Sequence, residues 1–305
     1  KRQKYHFSIN FSTYNHSFAA FNRLKMQIFK TVAELKNHLA PLLSQGSSIG
    51  FVPTMGALHS GHLSLVNHAS LENDFTVVSI FVNPTQFNNA SDLEKYPRDI
   101  ESDLQKLKNT SCNIVFLPSE KEMYPVKTES IDIDLNGLDK VMEGAHRPGH
   151  FDGVATIVSR FFEIVQPTRA YFGEKDFQQL LIIRQLTNTL NLPVEIIGHP
   201  IERSEKGLAL SSRNALLSDE DKEQALALWK ALLWMKQNYN THTPYNIYEE
   251  TSRRFEGAKP ELEYVQIVDE NTLKPITSWA DSKHARAFIA AYISGVRLID
   301  NLQLF

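Results

Sequence analysis

Ser48-Ile-Gly-Phe-Val-Pro-Thr-Met-Gly-Ala-Leu-His-Ser-Gly-His-Leu-Ser-Leu-Val66 is the stretch on which the reading of the fold turns. Ile49, Phe51 and Val52 read as the end of a short buried strand, Pro53 and Gly56 as a turn, and Ser60 with Gly61 as a helix start. A strand that passes through a turn into a helix start makes an anion site. The first helical turn has backbone N–H groups without partners and carries the positive end of the helix dipole. His59 and His62 stand at that mouth, and two imidazoles three residues apart can face one side and donate to phosphoryl oxygens. His-x-x-His alone also allows a pair of partly solvated histidines. A zinc pair is a third reading, but zinc wants at least a third ligand and the lone Cys112 lies in no ligand spacing.

Outward from this stretch the chain alternates helices and strands. Upstream, Val32, Leu35, Leu39 and Leu43 recur at helical spacing within 28–43, with Gly46 as a stop, which predicts a surface helix. Downstream, Phe75 to Val82 is a β-branched run suited to a strand buried on both faces, and Asn113 to Leu117 a third strand after a short helix from Asp99 to Leu107. Asn83-Pro-Thr-Gln-Phe87 follows the second strand, and the carboxyl ends of strands are where ligands sit in open α/β sheets. Gln86 there can orient a small polar substrate, or be an ordinary loop residue. Asp103 is either an outer contact for magnesium or simply solvated. Met142 to Gly153 reads as a long Gly-rich loop feeding a helix from Val154 to Phe162.

In Arg169-Ala-Tyr-Phe-Gly-Glu-Lys-Asp-Phe-Gln-Gln179 a brief strand over Ala170–Phe172 is broken by Gly173, and a helix continues from Asp176 to Gln185. Lys175 then lies beside a helix start, where an ammonium can neutralise phosphate charge; a solvated Lys-Asp face is the alternative. Val194 to Ile197 is a further strand. After a small-residue strand, Ser211, Ser212 and Arg213 form a phosphate clamp of two hydroxyls and a guanidinium, although the bare tripeptide means little alone. Ser218 to Asp221 is a capping-box start for a helix through Leu226, Trp229, Leu232 and Leu233. Leu262–Val268 and Ala285–Ile293 read as strands.

Several of these segments resemble one family. Pro53-Thr-Met-Gly-Ala-Leu-His-x-Gly-His-Leu-Ser-Leu-Val66 resembles the HIGH-type motif of nucleotidyltransferases and class I aminoacyl-tRNA synthetases, in the branch formed by the pantothenate synthetase (pantoate-beta-alanine ligase) family. Phe81-Val-Asn-Pro-x-Gln-Phe87, Asp92-Leu-x-x-Tyr-Pro-Arg98, the Glu143 to Val154 loop, Phe172-Gly-Glu-Lys-Asp-Phe-Gln-Gln-Leu180 and the terminal Arg297-Leu-Ile-Asp-Asn301 are similar to the same family. Leu210-Ser-Ser-Arg-Asn214 resembles its KMSKS-type loop. Leu210 stands where methionine is commoner, a change that conserves volume. Glu202 stands where a small apolar residue is commoner, one that meets adenine through its backbone.

The resemblance implies an α/β, Rossmann-like parallel-sheet domain over residues 26–201, carrying nucleotide and pantoate, followed by a smaller α+β lid domain over 202–305. It implies ATP-dependent condensation of (R)-pantoate with beta-alanine through a pantoyl adenylate, releasing AMP and pyrophosphate. It assigns Met55, Gly56, Ala57, Leu58, His59, Ser60, Gly61, His62, Gly173, Glu174, Lys175, Asp176, Glu202, Leu210, Ser211, Ser212 and Arg213 to ATP, and Gln86 and Gln179 to pantoate and beta-alanine. Within that set His62 is expected as proton donor during adenylation and His59 as phosphate partner, with Lys175 and Arg213 completing the catalytic group. Mg2+ is expected with ATP, its protein ligands unassigned, and a homodimer is carried over from the family. Another HIGH-type nucleotidyltransferase is the alternative; it would need a basic acceptor pocket in place of Gln86 and Gln179. A non-enzymatic nucleotide-binding protein would have lost one of His59, His62, Lys175 or Arg213.

Composition sets the remaining bounds. A chain of 305 residues, 42% of them hydrophobic, is long enough for two cores. A single cysteine rules out a disulfide framework and suits the cytoplasm. The longest apolar run, 288–296, falls short of the ~20 residues that span a bilayer, so no membrane partner is expected. The first 25 residues hold five basic and no acidic side chains; removing those charges from the formal −3 leaves −8 on residues 26–305, which argues against nucleic acid. That tail allows a transit peptide, an ordered arm or, as preferred here, a disordered or non-native extension upstream of a family start at Met26.

Overall fold

The computed structural model describes residues 26–126, 133–257 and 259–305, so the expectations for residues 1–25 lie outside the described residues. β1 (Gln27–Phe29), α1 (Val32–Ser44), β2 (Ile49–Thr54), α2 (Ser60–Glu72) and β3 (Phe75–Ile80) come first. α3 (Ala90–Lys95) and α4 (Ile100–Lys108) precede β4 (Ile114–Phe116). α5 (Glu120–Met123), α6 (Met142–His146) and α7 (His150–Val165) lead to β5 (Arg169–Gly173), and α8 (Phe177–Thr189) to β6 (Glu195–His199). The six strands pair in parallel in the order β1-β4-β3-β2-β5-β6.

Strand composition explains why this sheet is covered on both faces. In β2 and β3, Phe51 and Val77 point into one hydrophobic cluster with α1, α7 and α8, while Val52 and Val78 point into another with α2 and α4. From β2 the chain builds outward through β3 to β4, then crosses to the other side of β2 for β5 and β6. The order therefore reverses between β2 and β5, and a crevice opens there at the carboxyl ends of the strands.

Three expectations need correction. The helix predicted to begin at residue 28 starts at Val32, behind Thr31, whose side chain and that of Glu34 form a capping box; Gln27–Phe29 instead pair with β4. A three-residue strand is too short to show a period, so it was absorbed into its neighbour. The supposed loop over 142–153 contains α6, and α7 begins at His150, three residues after Arg147; its glycines and Pro148 mask helical spacing. In addition, the small-residue strand expected before Ser211 is only an isolated bridge between Arg203 and Ala209.

The C-terminal part holds α9 (Asp219–Asn238), α10 (Pro244–Arg253), β7 (Glu261–Asp269), β8 (Ala285–Ile293) and β9 (Val296–Gln303), the strands forming an antiparallel sheet in the order β7-β8-β9. α9 begins with the expected capping box between Ser218 and Asp221. Apart from Arg286 and the exposed Tyr292, β8 is apolar, because both its faces are buried. Ala287, Ile289 and Ala291 pack with α9 and α10, while Phe288 and Ala290 join the core of the parallel sheet. The fold is thus α/β with a separate small antiparallel sheet.

Candidate active site

The turn between β2 and α2 is wound unusually tightly. Gly56 has φ +82° and Ala57 φ +50°, two successive residues in the left-handed region, where only glycine is unstrained. The turn is held from outside by Asp103 on α4, itself 1% exposed, whose two oxygens accept from the N–H groups of Ala57 at 2.8 Å and Leu58 at 2.7 Å. Asp103 is therefore neither solvated nor turned to a metal; it clamps the turn.

The two histidines cap α2 reciprocally. His59 Nδ1 accepts from Gly61 N–H at 3.2 Å, and His62 Nδ1 accepts from His59 N–H at 3.3 Å. Each ring then carries its proton on Nε2, the donor left for the cavity that both line. Burial lowers the pKa of His59 to about 4, with Lys175 adding to it, and that of His62 to about 3, with His59 and Lys175 adding to it. Both rings are neutral at pH 7. A proton-donor role for His62 needs an imidazolium, so the structure leaves it as a hydrogen-bond donor. The bare N–H nest expected at the helix start is also largely used up, since Ala57, Leu58, His59 and Gly61 all donate within the turn or to Asp103.

One cavity of about 230 Å³ gathers distant segments at the crevice. Met55, His59, Gly61 and His62 line it from the β2 side; Gln86 after β3; Gly173, Lys175, Asp176 and Gln179 after β5; and Glu202, Leu210, Ser211, Ser212 and Arg213 close it. Gly56, Ala57, Leu58, Ser60 and Glu174 do not line it. They shape the turns behind it, as Glu174 does by offering its carbonyl to Asn301 Nδ2 at 2.9 Å.

The Ser-Ser-Arg segment is folded onto this mouth. Ser212 Oγ donates to the Ala57 carbonyl at 3.1 Å, and Arg213 pairs with Asp92 at 2.9 Å. Lys175 lies 3.5 Å from Asp176, and its carbonyl accepts from Asn301 Nδ2, so β9 holds the turn that presents it.

At the other end Gln86 is fixed on three sides. Asn83 Nδ2 donates to its Oε1 at 3.3 Å, its own Nε2 meets Met55 Sδ at 2.8 Å, and its carbonyl accepts from His150 Nδ1 at 2.7 Å. Asn83 is in turn held by Tyr124 and by the Gly153 carbonyl. A Cβ on Gly153 would come within 2.5 Å of the Thr85 carbonyl oxygen, so glycine is what lets α7 lie against this turn. With Nδ1 donating, His150 Nε2 accepts from Arg147 at 3.2 Å, and burial holds its pKa near 4. Asn83, Tyr96, Arg147 and His150 all line the cavity, yet no individual roles were assigned to them from sequence. Each falls inside a family-like string, but only contacts across the fold distinguish it from its neighbours.

Three rings kept neutral carry a pH consequence. His59, His62 and His150 have folded pKa values below the ordinary 6.5, so between pH 6.5 and about 4 the unfolded chain binds protons that the folded chain refuses. Stability is complete above pH 6.5 and is lost as pH falls, by up to about 1.4 kcal/mol per pH unit for each ring. Thermal melts should give a flat Tm from pH 7 to 8 and a falling one from 6.5 to 4.5; a flat profile throughout would contradict neutral rings.

The sequence model for pantoate-beta-alanine ligase matches residues 27–303. The chain belongs to that family. Among ligases of the family, the pantothenate synthetase of Porphyromonas gingivalis is 48% identical over 280 residues, 91% of this chain and 99% of that protein. That of Bacteroides thetaiotaomicron is 47% identical over 279 residues, again 91% and 99%. A solved pantoate-beta-alanine ligase from Thermus thermophilus superposes with a TM-score of 0.86 at 43% identity, covering 92% of this chain and all of its own. The ligase of Francisella tularensis, solved with beta-gamma ATP and beta-alanine, gives a TM-score of 0.79 at 37% identity, covering 92% and 98%.

Proposed function

We propose that the protein condenses (R)-pantoate with beta-alanine at this cavity, using ATP and passing through a pantoyl adenylate. The observation that carries this reading is the meeting of four distant segments, 55–62, 83–86, 173–179 and 210–213, in the walls of one cavity. In the first step the pantoate carboxylate attacks the α-phosphorus, a C–O–P bond forms and pyrophosphate leaves. In the second the beta-alanine amine attacks the acyl carbon, AMP leaves and the amine gives up a proton. No enzyme nucleophile is required, and Cys112, buried with its thiol pushed up to about 12, is not suited to be one.

The chain's part is charge and position. The Nε2–H groups of His59 and His62 donate to oxygens that gain charge as pyrophosphate departs, and Lys175 adds an ammonium. Mg2+ enters with ATP as part of the substrate. No group of three or more His, Cys, Asp or Glu placed to hold a metal is found among the described residues; Mg2+ bound with a nucleotide draws its ligands chiefly from phosphate oxygens and water, with one or two carboxylates.

Residues 202–305 serve as the lid, of which the 210–213 segment lines the cavity: β9 is tied down by Asn301 and by Arg297, which pairs with Glu143 at 2.6 and 2.8 Å. Burial opposes ionisation of Glu143, but Arg297 overrides it and holds the pKa near 2, so that tie persists across the working range. Closed, the segment keeps water from the anhydride. We place the enzyme in the cytoplasm as a homodimer; no helix among the described residues is long and apolar enough to cross a membrane.

Product analysis with pantoate, beta-alanine and MgATP tests the reading, and formation of ADP in place of AMP would overturn it. Gln86→Ala is expected to raise the pantoate KM at least about tenfold, the weight of one or two buried hydrogen bonds, while ATP binding measured by calorimetry stays near wild type. An unchanged pantoate KM would remove Gln86 from that pocket.

A further inference from the structure

A two-residue step of β9 touches both segments that bring positive charge to the cavity. Asp300 is 4% and Asn301 1% exposed, and side chains buried so deeply must place their polar atoms on partners.

Asn301 reaches the turn after β5. Its Nδ2 donates to the carbonyls of Glu174 and Lys175, both at 2.9 Å, and its Oδ1 accepts from Arg286 Nη1 at 2.6 Å. A guanidinium only donates and a carbonyl only accepts, so the amide has one possible orientation here. Arg286 is itself buried, 3.8 Å over the Phe177 ring, with the carboxylates of Glu270 and Glu174 at 3.4 and 3.8 Å. Asn301 thus fixes the backbone from which Lys175 enters the cavity.

Asp300 reaches the other segment. Its carboxylate accepts from both Nη atoms of Arg203, at 2.7 and 2.8 Å, a two-pronged pair. Arg203 Nη1 also donates to the Gly207 carbonyl at 3.1 Å, and the guanidinium lies 3.7 Å over the Trp229 ring of α9. The turn that begins at Arg203 closes on its bridge with Ala209, and Leu210 N–H donates to the Glu202 carbonyl at 2.9 Å. Asn214 Nδ2 donates back to the Ala209 carbonyl at 3.2 Å, so Ser211, Ser212 and Arg213 stand on this turn.

The two grips share one peptide unit, whose N–H, that of Asn301, donates to Asp300 Oδ1 at 2.8 Å. Neighbouring Cα atoms are held about 3.8 Å apart, so neither grip can drift from the other. Adhesion between the two sheets is already supplied by Phe288 and Ala290 and by Arg297 with Glu143. We propose that Asp300 and Asn301 are positioning residues for phosphate recognition. As neighbours on one strand they set the spacing between Lys175 and the Ser211–Arg213 segment, so that both engage one triphosphate. The proposal rests on the reading of the cavity as an ATP site.

Calorimetry with ATP and with adenosine, the same nucleoside without phosphate, separates positioning from folding. Asn301→Asp keeps the shape and the Arg286 contact but turns an oxygen toward the two carbonyls. Arg203→Lys keeps the charge but cannot span both Asp300 oxygens. Each should weaken ATP binding about tenfold or more, the weight of one charge-assisted hydrogen bond, while adenosine affinity stays within about twofold of wild type. Arg286→Lys, which only loosens the same amide, carries the first arm if Asn301→Asp does not fold. In a Lys175→Ala background the change at the amide should weaken ATP by no more than about twofold further, because its effect runs through Lys175. Equal weakening of ATP and adenosine, unchanged ATP affinity, or a further loss of about tenfold without Lys175 would overturn the proposal while the ATP reading stands. If wild type binds neither ligand, the functional reading fails and takes this proposal with it.

Discussion

His62→Ala is expected to slow pantoate-dependent exchange between ATP and labelled pyrophosphate by about 100- to 1,000-fold, the usual cost of removing one preorganised donor to a developing charge. Exchange isolates adenylation from amide formation, so the loss should appear there in full. The magnitude follows from how the ring is held. With a pKa near 3, only about one ring in ten thousand is protonated at pH 7, so rapid catalysis by an imidazolium would have to run through a scarce species. The neutral ring, by contrast, is always present, and its bond from His59 N–H fixes which nitrogen carries the proton. Alanine removes the Nε2 donor and also leaves the His59 N–H without its acceptor, so the neighbouring ring should loosen too. His62→Asn, which retains an N–H donor of shorter reach, should recover part of the loss. Exchange at near wild-type rate in His62→Ala would mean that His62 takes no part in adenylation.

How much of this was legible beforehand depends on the range of each interaction. The β2-turn-α2 unit could be read because its signals are local: a buried run, a turn with Pro53 and Gly56, and a helix start at Ser60. The parallel sheet followed from strands alternating with helices, and the meeting of residues near 60, 86, 175 and 212 was implied by the resemblance of their motifs to one family. β1 and α3 escaped because a three-residue strand and a six-residue polar helix carry little periodicity; α10 escaped although its buried Pro244, Ile247 and Thr251 recur at helical spacing. The protonation state of the histidines was out of reach, since it depends on burial and on Nδ1 contacts that only the folded turn creates.

Asp103 was misread most consequentially, and its replacement carries the second large expected effect. A lone carboxylate on α4 looks solvated in sequence, but it is buried and satisfies two backbone N–H groups of a turn whose Gly56 and Ala57 both sit at positive φ. Asp103→Ala orphans both donors at about 1–3 kcal/mol each and removes the restraint on a strained turn, so a loss of about 4 kcal/mol and roughly 10 °C in Tm is expected. Catalysis should fall as well, because His59 follows the turn directly and a shift of about 1 Å in a positioning group can cost about 100-fold. Asp103→Asn keeps one acceptor and turns an amide N–H2 toward the other donor, so it should destabilise nearly as much despite its matching shape. A magnesium contact at Asp103 would behave differently: Asp103→Asn would then raise the Mg2+ concentration needed for activity while leaving Tm in place. Thermal melts and a magnesium titration of that one variant therefore decide between a clamp on the turn and a ligand of the ion.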